Sequence, residues 1–127
     1  MQNTTEIRPL RGRLGPLAQG RELQVLETCD STNRVARRAL SAGSGPGLLV
    51  VSEAQTEGRG RLGRSWEAAP GTNLLFSLVL HPRVSGEWIP RCVLLWAAAM
   101  AETLDCRLKW PNDLQDDLGL KIGGILA

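Results

Sequence analysis

Two short apolar runs limit this chain more than anything else in it. LLVVSEA (48–54) is rich in β-branched residues, and NLLFSLVL (73–80) is nearly as apolar. Near-continuous apolar runs of this kind predict strands covered on both faces. Around them lie two helical patterns. CDSTNRVARRALSAG (29–43) offers a capping signal at Asp30, Ser31 or Thr32, then Val35, Ala36, Ala39 and Leu40 at helical spacing, and a stop at Gly43. WIPRCVLLWAAAMAETL (88–104) sets Ile89, Val93, Trp96, Met100 and Leu104 on one stripe, with so few polar residues elsewhere that a mostly buried helix is expected. LQVLE (23–27) and CRLKW (106–110) read as further strands, and LQDDLGLKIGGIL (114–126) as a hairpin turning through Asp116 to Gly119. Strands and helices alternate, which predicts an α/β (α+β) fold with a mixed β-sheet flanked by helices.

Composition narrows the class. At 127 residues, with 43% apolar and 22% charged residues, the chain has the make-up of one ordered globular domain. A net charge of +2 is too small for a general nucleic-acid binder, so any positive field is local. Cys29, Cys92 and Cys106 are odd in number and lack C-x-x-C spacing, which reads as reduced thiols rather than disulfides or a zinc site. The start of the chain has no signal-peptide core and no run approaches membrane-spanning length, so a soluble, cytoplasmic protein is expected. Residues 1–21, rich in Gly, Pro and Arg, predict an irregular leader too short for a helix-turn-helix domain. Residues 22–127 form the domain.

Three stretches can carry chemistry. TEGRGRLGRSW (56–66) packs Gly58, Gly60 and Gly63 among Arg59, Arg61 and Arg64 and closes on Trp66. Glycine lets backbone N–H groups approach an anion, and guanidinium forks match phosphate or carboxylate oxygens in pairs. A pliable loop of this kind can close over an anion and exclude water; it can equally be a solvated surface loop or an RNA contact. It lacks the G-K-[ST] ending of a P-loop. KWPND (109–113) places Lys109 and Trp110 at a strand end, where a charge can be aimed into a cleft, although Pro111, Asn112 and Asp113 also make a plain turn. DSTN (30–33) is a helix cap or, if its hydroxyls are not consumed by capping, a polar pocket for a neutral ligand, with Gln55 adding an amide. His81 reads as structural, and Asp116 and Asp117 as a solvated hairpin tip, so no metal ligands are assigned.

In this order and spacing, STN, Q-x-x-GRGRLGRSW, KWPND and KIGGIL resemble the catalytic domain of biotin–protein ligases, also called biotin–[acetyl-CoA-carboxylase] ligases, from about residue 22 onward. Lipoate ligases share the fold but fit the pattern less well. The resemblance implies a class II aminoacyl-tRNA synthetase-like (biotin-lipoate ligase) fold. It also implies activation of biotin by ATP to biotinyl-5′-AMP and transfer to a lysine of a biotin carboxyl carrier protein, with Mg2+ accompanying ATP. Arg59 and Arg61, with the backbone at Gly58 and Gly60, would bind the carboxylate and α-phosphate, and Lys109 would face the same oxygens. Ser31, Thr32, Asn33 and Gln55 would hold biotin. Lys121 and Asp113 join Arg61 and Lys109 as catalytic candidates, and Arg64, Trp66, Trp110, Asn112, Gly123 and Gly124 support the site.

Departures from the pattern carry expectations of their own. The glycine-rich strand and small β-barrel that follow in the family are absent, and the chain stops on KIGGILA, which predicts the front part of a longer catalytic domain, at most weakly active alone. LQDDLGL is about one residue longer than usual, which blurs the register of Lys121. No operator DNA binding is expected, and a homodimer is possible in the full-length protein. The competing readings are an anion- or RNA-binding module using the Gly/Arg loop, or a lipoate–protein ligase.

Overall fold

The computed structural model describes residues 12–127. Of the expected leader, residues 1–11 lie outside the described residues; Gly15–Ala18 form a short 3-10 turn with proline in its first turn. The chain divides into two compact units, residues up to His81 and residues 82–127.

The first unit is a strand–helix–strand–strand arrangement. β1 (Leu23–Cys29) runs parallel to β2 (Leu49–Gln55), and β3 (Leu75–Leu78) adds antiparallel on the other side of β2. Parallel neighbours need a crossover, and α1 (Thr32–Ser41) supplies it. The helix stops as its sequence predicts: Gly43, at φ +106, donates to Leu40 O while Ser44 N donates to Ala39 O, so both freed carbonyls are satisfied. Its Ala36 packs against Leu48 and Val50, with Leu26, Val35, Ala39 and Val79 around them. Leu40 does not join this face and is exposed.

β2 is the covered strand the sequence predicts, with Val50, Val51 and Ser52 all buried. β3 is not. It alternates, with Leu75 and Ser77 inward while Phe76 is 40% exposed. As the outer strand of a three-stranded sheet, it is covered on one face only.

The second unit holds α2 (Ile89–Thr103) and an antiparallel sheet of β4 (Arg107–Lys109), β5 (Asp113–Gln115) and β6 (Lys121–Gly124). The buried residues of α2 are Ala97 and Ala101, whereas Ile89, Trp96 and Leu104 of the predicted stripe are exposed. The expected burial of this helix is therefore corrected. Val93 and Met100 of the stripe are half-buried beside the two alanines, so the stripe locates part of the inner face and misses the small residues that are most buried on it. The hairpin forms where expected. Asp116 Oδ1 accepts from Leu118 N at 3.0 Å and Leu120 N at 2.8 Å, and Gly119, at φ +80, turns the chain. Asp113 faces Gly124 and Leu114 faces Gly123, but Gln115 faces Lys121, so a one-residue bulge falls between them.

Candidate functional site

The N-terminal side of the site begins where β1 ends. Ser31 caps α1 in an extended conformation, but its side chain makes no capping hydrogen bond; Asp30 Oδ1 accepts from Ser31 N instead, at 2.7 Å. The hydroxyls of STN are thus not consumed by the helix end. Thr32 donates its N–H to Gln55 Oε1 at 2.8 Å and its hydroxyl to the same oxygen at 3.1 Å. Ser77, from the inner face of β3, reaches Thr32 Oγ1 at 2.8 Å and also contacts Asn33 Oδ1. Ser31, Thr32 and Ser77 are all buried. Three elements therefore meet in one hydrogen-bonded cluster: the start of α1, the end of β2 and the middle of β3.

The Gly/Arg loop leaves directly from Gln55. It is more ordered by its own backbone than its glycine content predicts. Trp66 N donates to Gly58 O at 2.9 Å, Gly60 N donates to Arg64 O at 2.8 Å, and Arg59 bridges Ser65. A tight turn at Arg61–Gly63 closes the tip, with Leu62 at φ 58 and Gly63 at φ 74. The three glycines do different work. Gly58 is buried against Trp66 and Gln55, where no side chain fits. Gly63 takes the left-handed conformation. The Gly60 N–H, expected to face an anion, is spent inside the loop in this conformation. Arg59, Arg61 and Arg64 are exposed, and Trp66 is half-buried at the loop's exit.

Ion pairs that the sequence reading missed tether the loop to α1. Asp30 accepts from both terminal guanidinium nitrogens of Arg38, at 2.8 and 2.9 Å, and Arg34 bonds Glu57 at the loop entry. The Arg38 hydrogen bonds, then the Ser31 N–H, hold the Asp30 carboxyl well below the usual carboxylate range. Exposed pairs of this kind add little stability; they fix direction. The i,i+4 spacing of Asp30 and Arg34 was the available signal. Ser77 was also missed, although a serine at the centre of an apolar strand calls for a partner. Burial pushes the neighbouring Cys29 thiol up, and Cys29, Cys92 and Cys106 are all free.

In the second unit, Lys109 on β4 stands opposite Asp113 on β5, and Lys121 on β6 pairs with Asp113 at 2.9 Å. The bulge places Lys121 beside Gln115, on the sheet face that Asp113 shares. Two lysines therefore flank one carboxylate. Lys109 and Trp110 are both exposed at the end of β4. The Trp110–Pro111 bond is cis. Asn112 ties the end of the hairpin, donating from Nδ2 to Ile125 O at 3.0 Å and accepting from Ile125 N at 2.9 Å. Gly123 lies against Leu114, where an added Cβ would sit 3.4 Å from its Cδ1.

Among the described residues no group of three or more His, Cys, Asp or Glu side chains is placed to hold a metal ion. Asp113 is already committed to Lys121. A Mg2+ arriving with a nucleotide would keep phosphate and water among its ligands. A recess of about 210 Å3 between Val51, Glu53, Asn73 and Leu74 contains none of the predicted site residues. No helix among the described residues is long and apolar enough to cross a membrane.

A mixed α/β domain that joins a neutral hydrogen-bonding cluster to a cationic loop is the class defined so far. Residues 25–127 match the model of the Biotin/lipoate A/B protein ligase family, and the chain belongs to that family. Its similar relatives are biotin protein ligases. It is 33% identical over 114 residues to the Bifunctional ligase/repressor BirA of Bacillus spizizenii, covering 85% of this chain and 35% of that protein. It is 36% identical to the Biotin–[acetyl-CoA-carboxylase] ligase of Mycobacterium tuberculosis, covering 94% of this chain and 49% of that protein. Among solved structures, the biotin acetyl coenzyme A carboxylase synthetase of Helicobacter pylori with bound biotinylated ATP matches at a TM-score of 0.65 and 26% identity, over 84% of this chain and 54% of that one. The Aquifex aeolicus biotin protein ligase in complex with biotin and ATP matches at 0.60 and 34%, over 83% and 45%. The chain thus spans about half or less of the length of the curated relatives it matches.

Proposed function

We propose that the protein from which this chain comes is a cytoplasmic biotin–protein ligase, with residues 22–127 contributing to its catalytic domain. The observation that carries this reading is the continuity between Gln55 and the Gly/Arg loop. A cluster of neutral donors and acceptors leads straight into exposed guanidinium groups. That pairing suits a ligand with a neutral polar ring at one end and a carboxylate at the other, which is the chemistry of biotin.

In the reaction, a biotin carboxylate oxygen attacks the α-phosphorus of ATP, and the bond to the β-phosphate oxygen breaks as pyrophosphate leaves. Both partners are anions, and their repulsion opposes the approach. Arg59 and Arg61 neutralise it and orient the reacting oxygens. Lys109 and Lys121 take the developing charge on the phosphoryl group, with Asp113 holding Lys121 in place. Gln55, positioned by Thr32 and joined by Ser31 at the start of α1, holds the ring, Thr32 and Asn33 forming the wall behind it, and Trp66 covers the loop's exit from water. A carrier lysine amine then attacks the biotinyl carbonyl carbon and AMP leaves. The carrier is a biotin carboxyl carrier protein of acetyl-CoA carboxylase or a similar carboxylase.

The test takes two steps. Biotin should raise the melting temperature of the 127-residue chain. The full-length protein, given ATP, biotin and an apo-carrier domain, should yield biotinylated carrier. A preference for lipoate in the same assay would move the assignment to lipoate attachment. Binding to RNA that weakens steeply with salt and ignores biotin would replace it with an anion-binding role.

A further inference from the structure

Ser77 interrupts an apolar strand, and the cluster it joins has a proton direction. Its hydroxyl is buried on the inner face of β3, 2.8 Å from Thr32 Oγ1 and in contact with the Asn33 side-chain amide. Thr32 directs both its N–H and its hydroxyl at Gln55 Oε1. That oxygen has two lone pairs, and Thr32 occupies both. What Gln55 still offers is Nε2, a double donor, beside the space left by the missing side chain of Gly58, where a Cβ would sit 2.9 Å from it.

Proton counting gives Ser77 its role. A hydroxyl has one proton, so while Thr32 gives its own to Gln55 the proton in the Ser77–Thr32 bond must come from the neighbour, which also sets the Thr32 hydroxyl rotor toward Gln55. Ser77 is that neighbour. The Asn33 atom against Ser77 is Oδ1, and a half-turn of that terminal amide, which puts Nδ2 there instead, is the orientation in which Ser77 donates to Thr32 and accepts in turn from Asn33. Every group in the relay then has one role, and the relay runs from Asn33 through Ser77 and Thr32 to Gln55.

We infer that Ser77 is a positioning residue: through Thr32 it fixes Gln55 with its carbonyl oxygen inward and its N–H donors outward, so that the ligand group taken at the mouth of the Gly/Arg loop is an oxygen acceptor. The inference rests on the biotin reading for the identity of that acceptor, but not for the relay itself. With Ser77→Ala, Thr32 loses its donor and the Gln55 amide gains an alternative rotamer.

Two measurements on the 127-residue chain test it. Without ligand, 15N relaxation of the Gln55 side-chain amide should show raised mobility in Ser77→Ala and wild-type behaviour in Ser77→Thr, which keeps the hydroxyl. A loss of stability alone would not produce that contrast. With biotin as the probe, Ser77→Ala should bind about tenfold more weakly. An unaltered Gln55 amide in Ser77→Ala overturns the relay. A wild-type chain that ignores biotin overturns the ligand reading, and the relaxation result still decides the role of Ser77.

Discussion

Gly58 and Trp66 are locked together: Trp66 N donates to Gly58 O at 2.9 Å, and a Cβ on Gly58 would run into the Trp66 carbonyl oxygen and come within 2.9 Å of Gln55 Nε2. The obstacle is backbone, which cannot rotate away as a side-chain tip can. Gly58→Ala should therefore destabilise the first unit by about 1–3 kcal/mol and displace Gln55. Gly60→Ala is the control. Gly60 has φ −105 and its nearest added-Cβ contact is 3.6 Å, so alanine there should leave the melting temperature nearly unchanged. Thermal denaturation of the two variants side by side checks the contrast. Equal losses would mean that loop flexibility, not the Gly58 contact, is what glycine supplies.

The tip of the same loop carries a different kind of strain. Leu62 is 88% exposed and holds φ 58, ψ 34, a conformation that costs a non-glycine residue about 1–2 kcal/mol. It makes no burial gain in exchange. Leu62→Gly should relieve that cost and match or exceed wild-type stability, whereas Gly63→Ala, at φ 74, should lose about 1 kcal/mol. Denaturant melts of both read the two signs directly. A destabilised Leu62→Gly would mean that the chain entropy of glycine outweighs the relief.

Asp30 predicts a pH dependence of defined sign. Its carboxyl is held well below the ordinary value of 3.8 by Arg38 and the Ser31 N–H. A folded-state value below the unfolded one means that the stabilisation is fully present above the unfolded value. It is lost as the pH falls from there through the lower folded value. Asp30→Asn keeps an oxygen for Ser31 N but drops both ion pairs. The melting-temperature gap between wild type and Asp30→Asn should be level from pH 5 to pH 8 (both about 1 unit or more above the carboxylate range) and close below it. It should also narrow with added salt, because the pairs are exposed. A gap that persists into acid would assign the loss to the amide itself.

How much of this was legible in the sequence depends on what each residue reports. β2, the Gly43 stop and the Asp116–Gly119 turn were readable because their causes are local: apolar continuity, a positive φ and an Asx turn. The inner face of α2 was legible only in part, since size-weighted periodicity pointed to Val93 and Met100, which are half-buried, and to Trp96 and Leu104, which are exposed, but passed over Ala97 and Ala101, which are the buried ones. The site residues were legible as types and spacing. Their partners were not: Thr32 with Gln55 spans 23 positions, and Ser77 with Thr32 spans 45. Only the topology that sets β3 beside β2 and lays α1 across them brings those groups together.

The arginines of the loop and the lysines of the second sheet predict separable kinetic effects. If the proposed reaction holds and Arg61 neutralises the repulsion between its two acids, Arg61→Ala should lower adenylate formation by about a hundredfold or more, roughly 3 kcal/mol in the barrier. Lys109→Ala should do the same, since Lys121 is bound to Asp113 and Arg107, the other cation of β4, stands beside Asp117. Arg64→Ala should be milder, because the Arg64 carbonyl, which alanine retains, is the part that closes the loop onto Gly60. Biotin-dependent pyrophosphate exchange isolates the first half-reaction and reads all three variants. Adenylate formation at the wild-type rate in Arg61→Ala would leave the loop with a binding role only, and the charge needed for the transfer would then have to come from the lysines that flank Asp113.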